Sequence, residues 1–389
     1  MRPLRPLAAL LLALALACDG GSAPAPSKGA PDGARAGASD PASPASPEVT
    51  ATPTLPPSNL KSDEHLRLFP ALALPRGDGG YDVELRAWVF EPEDHSRIRA
   101  ATVSALRKAL ELPEDAEEAA IFKERSRAFL VDNEGGKRIT VTIAGRDHAL
   151  ETTAPNGQSV TRLRLAADDL AGATTPIVPK LRDGDARRFD GVIHRLDPGG
   201  LSVISDIDDT IKISEVRDKE RLLARTFVLP FEAVPAMAET YRRWADAGAT
   251  FHYVSASPWQ LYDVLQAFAA EGGFPAGSFH LKSFRWKDTS FFSLFQDPVE
   301  YKLAIARPLV AAATGRRFIL VGDSGERDPE VYAALLREHP GAVVHVYIRD
   351  VTGEGRDAPR YVEAFKGLPA DRWTIFTDAA TLPSAPPGP

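Results

Sequence analysis

A chain of 389 residues has room for two domains of ordinary size and can bury sizeable cores. With 46 basic and 53 acidic side chains the formal charge is −7, and no basic block occurs, so nothing points to a nucleic-acid partner. The one cysteine, Cys18, excludes an intrachain disulfide and removes thiol catalysis from the folded part.

Residues 1–18 carry Arg2 and Arg5, then an apolar run, then Cys18, a secretory-signal pattern too short to span a membrane stably. Leu16-Ala17-Cys18 resembles the lipobox of bacterial lipoproteins, with Ala15 in place of the commoner leucine. The resemblance implies a protein exported to the bacterial cell envelope and held at its membrane through lipidated Cys18. A plain cleaved signal with an incidental cysteine is the alternative. Residues 19–60 are dominated by Ala, Pro, Ser and Gly, the composition of a disordered tether. Such a leash would keep the folded part within roughly 35–40 Å of the membrane.

From 62 to 200 the texture changes to alternating runs at 81–87, 138–143 and 161–165, each a strand pattern with one polar face. Ala154-Pro155-Asn156-Gly157 between the last two is a turn signal, because proline presets one backbone angle and Asn-Gly tolerates positive φ. A β-rich, sandwich-like domain follows. The spacing of Ile98, Val103, Leu106 and Leu110 predicts a helix over 98–111.

From 201 to 380 strands and helices alternate, which implies βαβ units and a parallel sheet. Strands are expected at 201–205, 249–254, 278–282, 316–321 and 342–348. A helix over 234–247 presents Val234, Met237, Ala238, Tyr241, Trp244 and Ala245 as a core stripe and closes at Gly248. Ser257 reads as the cap of another, with Pro258 at its first position. His252 lies inside a strand and reads as a packed core histidine, and His280 likewise. Residues 381–389 form a Pro-rich tail.

Polar clusters fall at three of the strand ends. Asp206, Asp208 and Asp209 follow the first strand, Ser255 and Ser257 the second, and Gly322 to Asp328 the fourth, with Lys302 on the helix entering it. The carboxyl ends of parallel strands are where open α/β sheets bind ligands. If the extended geometry persists, Asp206 and Asp208 share a face and Asp209 points away. Two adjacent anions repel unless a metal neutralises them.

These segments resemble the motifs of the haloacid dehalogenase-like phosphatases. Asp206-Ile207-Asp208-Asp209-Thr210 is similar to the first, Ser255 to the second, Lys302 to the third, and Asp323 with Asp328 to the fourth. More closely, the runs 205–212, 253–259, 277–282 and 321–329 look like the catalytic domain of the actin-patch-protein type of phosphatidate phosphatase. The fold implied is a Rossmann-like parallel sheet of the haloacid dehalogenase type. The activity implied is Mg²⁺-dependent hydrolysis of a phospholipid monoester through an aspartyl-phosphate. Asp206 would be the nucleophile and Asp208 the general acid and base. Mg²⁺ would sit on the Asp206 carboxylate, the Asp208 main-chain carbonyl and Asp323, with Asp328 behind it. Ser255 and Lys302 would hold phosphoryl oxygens and Thr210 would support the loop. Asp209 stands where many members of the superfamily have glycine and receives no catalytic role.

The aromatic and basic stretch 279–295 suits either contact with a lipid interface or packing beneath a short lid. The interval between Ser255 and Lys302 leaves no room for a large cap domain, which suits a bulky or membrane-held substrate. Two other functions compete: hydrolysis of a soluble or protein-borne phosphomonoester, and a non-catalytic binding role for a vestigial domain. Gly322-Asp323-Ser324-Gly325 also echoes the nucleophile segment of trypsin-like proteases, but the parallel α/β pattern contradicts that fold. The oligomeric state is not readable.

Overall fold

The computed structural model describes residues 54–92, 104, 117–170, 172–283, 298–312 and 315–387. The predicted helix over 98–111 therefore lies, Ser104 apart, outside the described residues, as do Cys18, the N-terminal part of the tether and most of the aromatic stretch. No helix among the described residues is long and apolar enough to cross a membrane.

The first half is a mixed sheet built on one long strand. Its elements are β1 (His65–Leu68), β2 (Ala71–Pro75), β3 (Tyr81–Glu91), helix α1 (Glu117–Arg127), β4 (Asp132–Asn133), β5 (Thr140–Ile143), β6 (Arg146–Ala149), β7 (Gln158–Leu165), β8 (Thr174–Pro179) and β9 (Gly191–Arg195). β3 pairs antiparallel with β1, β2, β4 and β7 along different parts of its length, whereas β2 pairs parallel with β9. The strand read at 81–87 continues to residue 91, burying Val83, Leu85, Ala87 and Val89, with Trp88 buried as well. The predicted turn before β7 is present, with the Gly157 N–H donating to Ala154 O at 2.8 Å. Gly157 has φ 70°, and a Cβ there would meet Val89 O at 2.3 Å, so only glycine fits. α1 was not anticipated from the sequence.

Among the described residues the second half is a six-stranded parallel sheet in the order β12-β11-β10-β13-β14-β15. Its strands are β10 (Gly200–Asp206), β11 (Ala249–Pro258), β12 (Gly277–Lys282), β13 (Arg316–Asp323), β14 (Val343–Arg349) and β15 (Trp373–Phe376). Between them run α2 (Lys219–Phe227), α3 (Met237–Asp246), α4 (Tyr262–Glu271), α5 (Pro298–Ala312), α6 (Asp328–Glu338) and α7 (Pro359–Ala364). Alternation along the strands feeds two cores. Val203, Phe251, Tyr253, Ile319 and Val321 face Met237, Tyr241 and Trp244 of α3, while Ile204, Val254, Phe318 and Leu320 face Leu303 and Ala306 of α5 and Val331 and Leu335 of α6. Both faces are covered, so the strands read as nearly unbroken apolar runs. The chain is thus α/β, with a mixed sheet preceding the parallel one. The stripe over 234–247 is core as expected, and Gly248 ends it at φ 92°.

The two halves share packing. Phe69 packs against Trp259 at a tilt of 54° with centroids 4.7 Å apart, and Arg86 Nη1 donates to Ser283 Oγ at 2.8 Å. Arg125 of α1 donates to the main-chain oxygens of Thr226 (2.9 Å), Leu229 (2.8 Å) and Arg225 (3.3 Å). His252 is fully buried in a chain of serines: Nε2 lies 3.0 Å from Ser202 Oγ, Nδ1 lies 2.7 Å from Ser278 Oγ, and that hydroxyl is 2.9 Å from His280 Nε2.

Candidate active site

The central strand β10 ends at Asp206, and there the backbone turns. The N–H groups of Ile211 and Lys212 both donate to Ile207 O at 3.0 Å, and Ile207 and Ile211 pin the turn into the core. Asp209 sits in the left-handed region at φ 56°, a conformation that glycine or a short polar residue adopts at least cost. Its carboxylate accepts the N–H groups of Ser214 (2.8 Å), Glu215 (2.9 Å) and Val216 (2.8 Å). Asp209 therefore shapes the loop. The extended geometry expected past the strand end does not persist, and Asp206 and Asp208 acquire separate sets of partners.

Alternation puts Asp206 on the α5 side of the sheet, where Lys302 waits. The Lys302 ammonium is buried, 2.7 Å from Asp206 Oδ1 and 2.9 Å from Glu326 Oε2, and it also donates to Asp328 Oδ1. Asp323, at the end of the neighbouring strand β13, joins Asp206 and Asp328 in a buried trio whose ligand atoms lie within 4.8 Å of one another. Both Asp328 oxygens have donors, Lys302 for Oδ1 and the Asp323 N–H at 3.1 Å for Oδ2. Gly322 makes room for it, because a Cβ there would meet Asp328 Oδ2 at 2.2 Å. By contrast Asp206 Oδ2 and Asp323 Oδ2 are buried without a hydrogen-bond partner among the described residues. Burial pushes both carboxyls well above the usual range, and neighbouring acids add to this against the pull of Lys302. Lys302 stays protonated, since the acids around it outweigh the cost of its burial. Two orphaned acidic oxygens from adjacent strands are the donors a hard divalent cation takes.

Asp208 is held differently. Its Oδ1 pairs with the buried Lys212 ammonium at 2.8 Å and accepts from Ser214 Oγ at 2.7 Å. Its Oδ2 accepts from Ser255 Oγ at 2.8 Å and Ser257 Oγ at 3.3 Å. Burial works to raise this carboxyl, but Lys212 and the hydroxyl donors overcome it and hold Asp208 down at about 2.

All the sequence-predicted residues meet at the carboxyl ends of β10, β11 and β13, though not in the contacts expected. Ser255 is committed to Asp208 and accepts the Ser257 N–H at 2.9 Å. Ser257 does not cap a helix. Its hydroxyl turns to Asp208, Pro258 precedes a short turn at Trp259–Leu261, and α4 begins only at Tyr262. Thr210 is buried, with its hydroxyl unpartnered among the described residues. Sequence reasoning missed Lys212, Ser214 and Glu326. A signal for Lys212 was available, because a lysine between Ile211 and Ile213 makes a poor solvated face.

Residues 201–350 match the family model for the catalytic domain of phosphatidate phosphatase APP1. An uncharacterized protein of Schizosaccharomyces pombe is 31% identical over 167 residues, which are 41% of this chain and 26% of that protein. Phosphatidate phosphatase APP1 of Saccharomyces cerevisiae is 31% identical over 172 residues, 43% of this chain and 28% of the yeast protein. The chain spans little more than a quarter of the length of these relatives. The likeness to the actin-patch-protein type of phosphatidate phosphatase is borne out over this segment. The expected bacterial envelope location is corrected: both relatives are fungal proteins.

Proposed function

We propose that the chain is a Mg²⁺-dependent phosphoric monoester hydrolase acting on phosphatidate or a related phospholipid, with Asp206 as nucleophile. The observation that carries this reading is the pair of orphaned oxygens, Asp206 Oδ2 and Asp323 Oδ2, beside the buried Lys302. The family match over the same residues supports it. A haloacid dehalogenase-type domain over 201–380, preceded by a β-rich domain over 62–200, goes with this reading, since β10 lies at the centre of the sheet where the strand order reverses.

Mg²⁺ on the Asp206 and Asp323 carboxylates and the Asp208 carbonyl would supply charge that offsets the repulsion between nucleophile and phosphate. Asp206 attacks phosphorus, with Lys302 steadying its other oxygen and Asp328 and Glu326 steadying Lys302 in turn. Ser255 and Ser257 turn their hydroxyls from Asp208 to the phosphoryl oxygens. Asp208 is ionised in the ligand-free site and so is ready to act as base towards the hydrolytic water. The proton it hands to the leaving alkoxide in the first step enters with the substrate, whose phosphate has a second pKa of about 6.

The test is phosphate release from phosphatidylcholine vesicles containing phosphatidate and from soluble monoesters, each with and without EDTA. Release from vesicles that EDTA abolishes and Mg²⁺ restores is expected. Equal rates on soluble monoesters would shift the substrate to that class, and no release from any monoester would leave a binding role.

A further inference from the structure

Lys212 carries no role in the reaction as described, yet it is 2% exposed and pairs at 2.8 Å with the residue assigned to move protons. Burying an ammonium is costly unless its partners are fixed, and here they are. Asp208 Oδ1 lies between Lys212 and Ser214, Lys212 also donates to Ser214 Oγ, and the Phe231 ring stands 5.0 Å from the ammonium. The partners of the other oxygen are of another kind. Ser255 and Ser257 are neutral hydroxyls from the end of β11, the groups assigned above to turn onto a phosphoryl group.

The geometry points to Lys212 as the positioning residue of the general acid and base: with Ser214 it anchors Asp208 Oδ1, so that Oδ2 alone exchanges protons with substrate and water. The inference rests on the phosphatase reading. In the first half-reaction the Asp206–phosphorus bond forms, the phosphorus–alkoxide bond breaks, and the proton on Asp208 Oδ2 passes to the alkoxide. In the second, Oδ2 takes a proton from water as the water–phosphorus bond forms and the Asp206–phosphorus bond breaks. Oδ1 stays on Lys212 throughout. Without Lys212 the carboxylate can rotate about its χ angles, and its proton is delivered from the wrong place.

A leaving group that needs no proton separates this role from a general electrostatic one. Lys212→Met and Lys212→Arg are compared with the unaltered protein on an alkyl phosphate and on p-nitrophenyl phosphate, at saturating Mg²⁺. Because kcat/KM reports the steps through loss of the first alcohol, Lys212→Met is expected to lose about 100-fold on the alkyl ester but only about 3-fold on the aryl ester. A burst of p-nitrophenolate is expected as the second half-reaction becomes limiting, and Lys212→Arg recovers part of the alkyl activity. Surviving aryl turnover also shows that the variant is folded. Equal losses on both esters, or no loss on either, would overturn the role of Lys212 and leave the phosphatase reading intact. Absence of release by the unaltered protein from these esters and from phosphatidate vesicles alike would overturn both.

Discussion

The Arg125 guanidinium lies 3.5 Å from the centre of the Phe231 ring, the same ring that stands 5.0 Å from the Lys212 ammonium. Helix α1, outside the segment that matches the catalytic-domain family, thereby reaches within two side chains of Asp208. Arg125 also satisfies three main-chain oxygens at the end of α2. Arg125→Met leaves those oxygens without their donor and removes the cation from the ring, which costs about 3 kcal/mol of folding free energy by urea denaturation. Loss of phosphate release will exceed what the unfolded fraction explains, because Phe231 loses its support.

Asp206 Oδ2 and Asp323 Oδ2 make a second prediction, about metal. In EDTA, Asp323→Asn will melt no lower than the unaltered protein, since it removes one of several crowded acids whose carboxyls are already pushed up. Mg²⁺ at 100 times its dissociation constant stabilises the unaltered protein by about 2.7 kcal/mol and the variant hardly at all. Thermal melting with and without Mg²⁺ checks both halves. A variant stabilised as strongly as its parent would place the cation elsewhere.

Much of this site was legible because sequence places residues at strand ends. Strand patterns of five to seven residues located β10 to β14, and the acids ending β10 and β13 fell at the carboxyl ends of adjacent strands. What could not be read was direction. The left-handed Asp209 turns the loop, so Asp208 points at Lys212 and the serines rather than lying beside Asp206, and no period-two rule anticipates a turn that one side chain organises. Ser257 misled for a related reason: its hydroxyl serves either a helix end or a carboxylate, and only tertiary packing chooses. α1 escaped because its acids, lysine and arginines hide the few apolar positions, and its one deeply buried cation is satisfied by carbonyls from elsewhere in the chain.

Buried His252 and half-buried His280 give a pH prediction. Burial, with Arg86 adding to it, pushes His280 down to about 4, and burial with His280 and Arg316 pushes His252 well below its usual value. An unfolded histidine binds a proton near pH 6.5, so below that pH the unfolded chain holds more protons than the folded one. The stability is full above about pH 6.5 and falls as the pH drops towards about 4. At pH 5 His280 costs roughly 2 kcal/mol, and His252 acts in the same direction. Urea denaturation at pH 7 and pH 5, at one fixed Mg²⁺ concentration, will show a smaller drop for His280→Gln than for the unaltered protein. Equal drops would mean that His280 takes its proton in the folded state.

Lys302 is the counter-ion of a buried acidic cluster, touching Asp206, Glu326 and Asp328 at once. Lys302→Met preserves the apolar stem and removes only the charge, so the acids it held are left buried and unpaired. The expected loss is about 3–5 kcal/mol at pH 7, the range for breaking a buried ion pair from one side. Asp328→Asn in the same chain removes one of the stranded charges, and the double variant will be less destabilised than the sum of the two single ones by about 1–3 kcal/mol. That coupling, read from urea denaturation of the four proteins, distinguishes a counter-ion from a lysine that merely fills space. Additive losses would mean that the acids are neutral without Lys302, and Asp206 would then need the cation rather than the lysine to become a nucleophile.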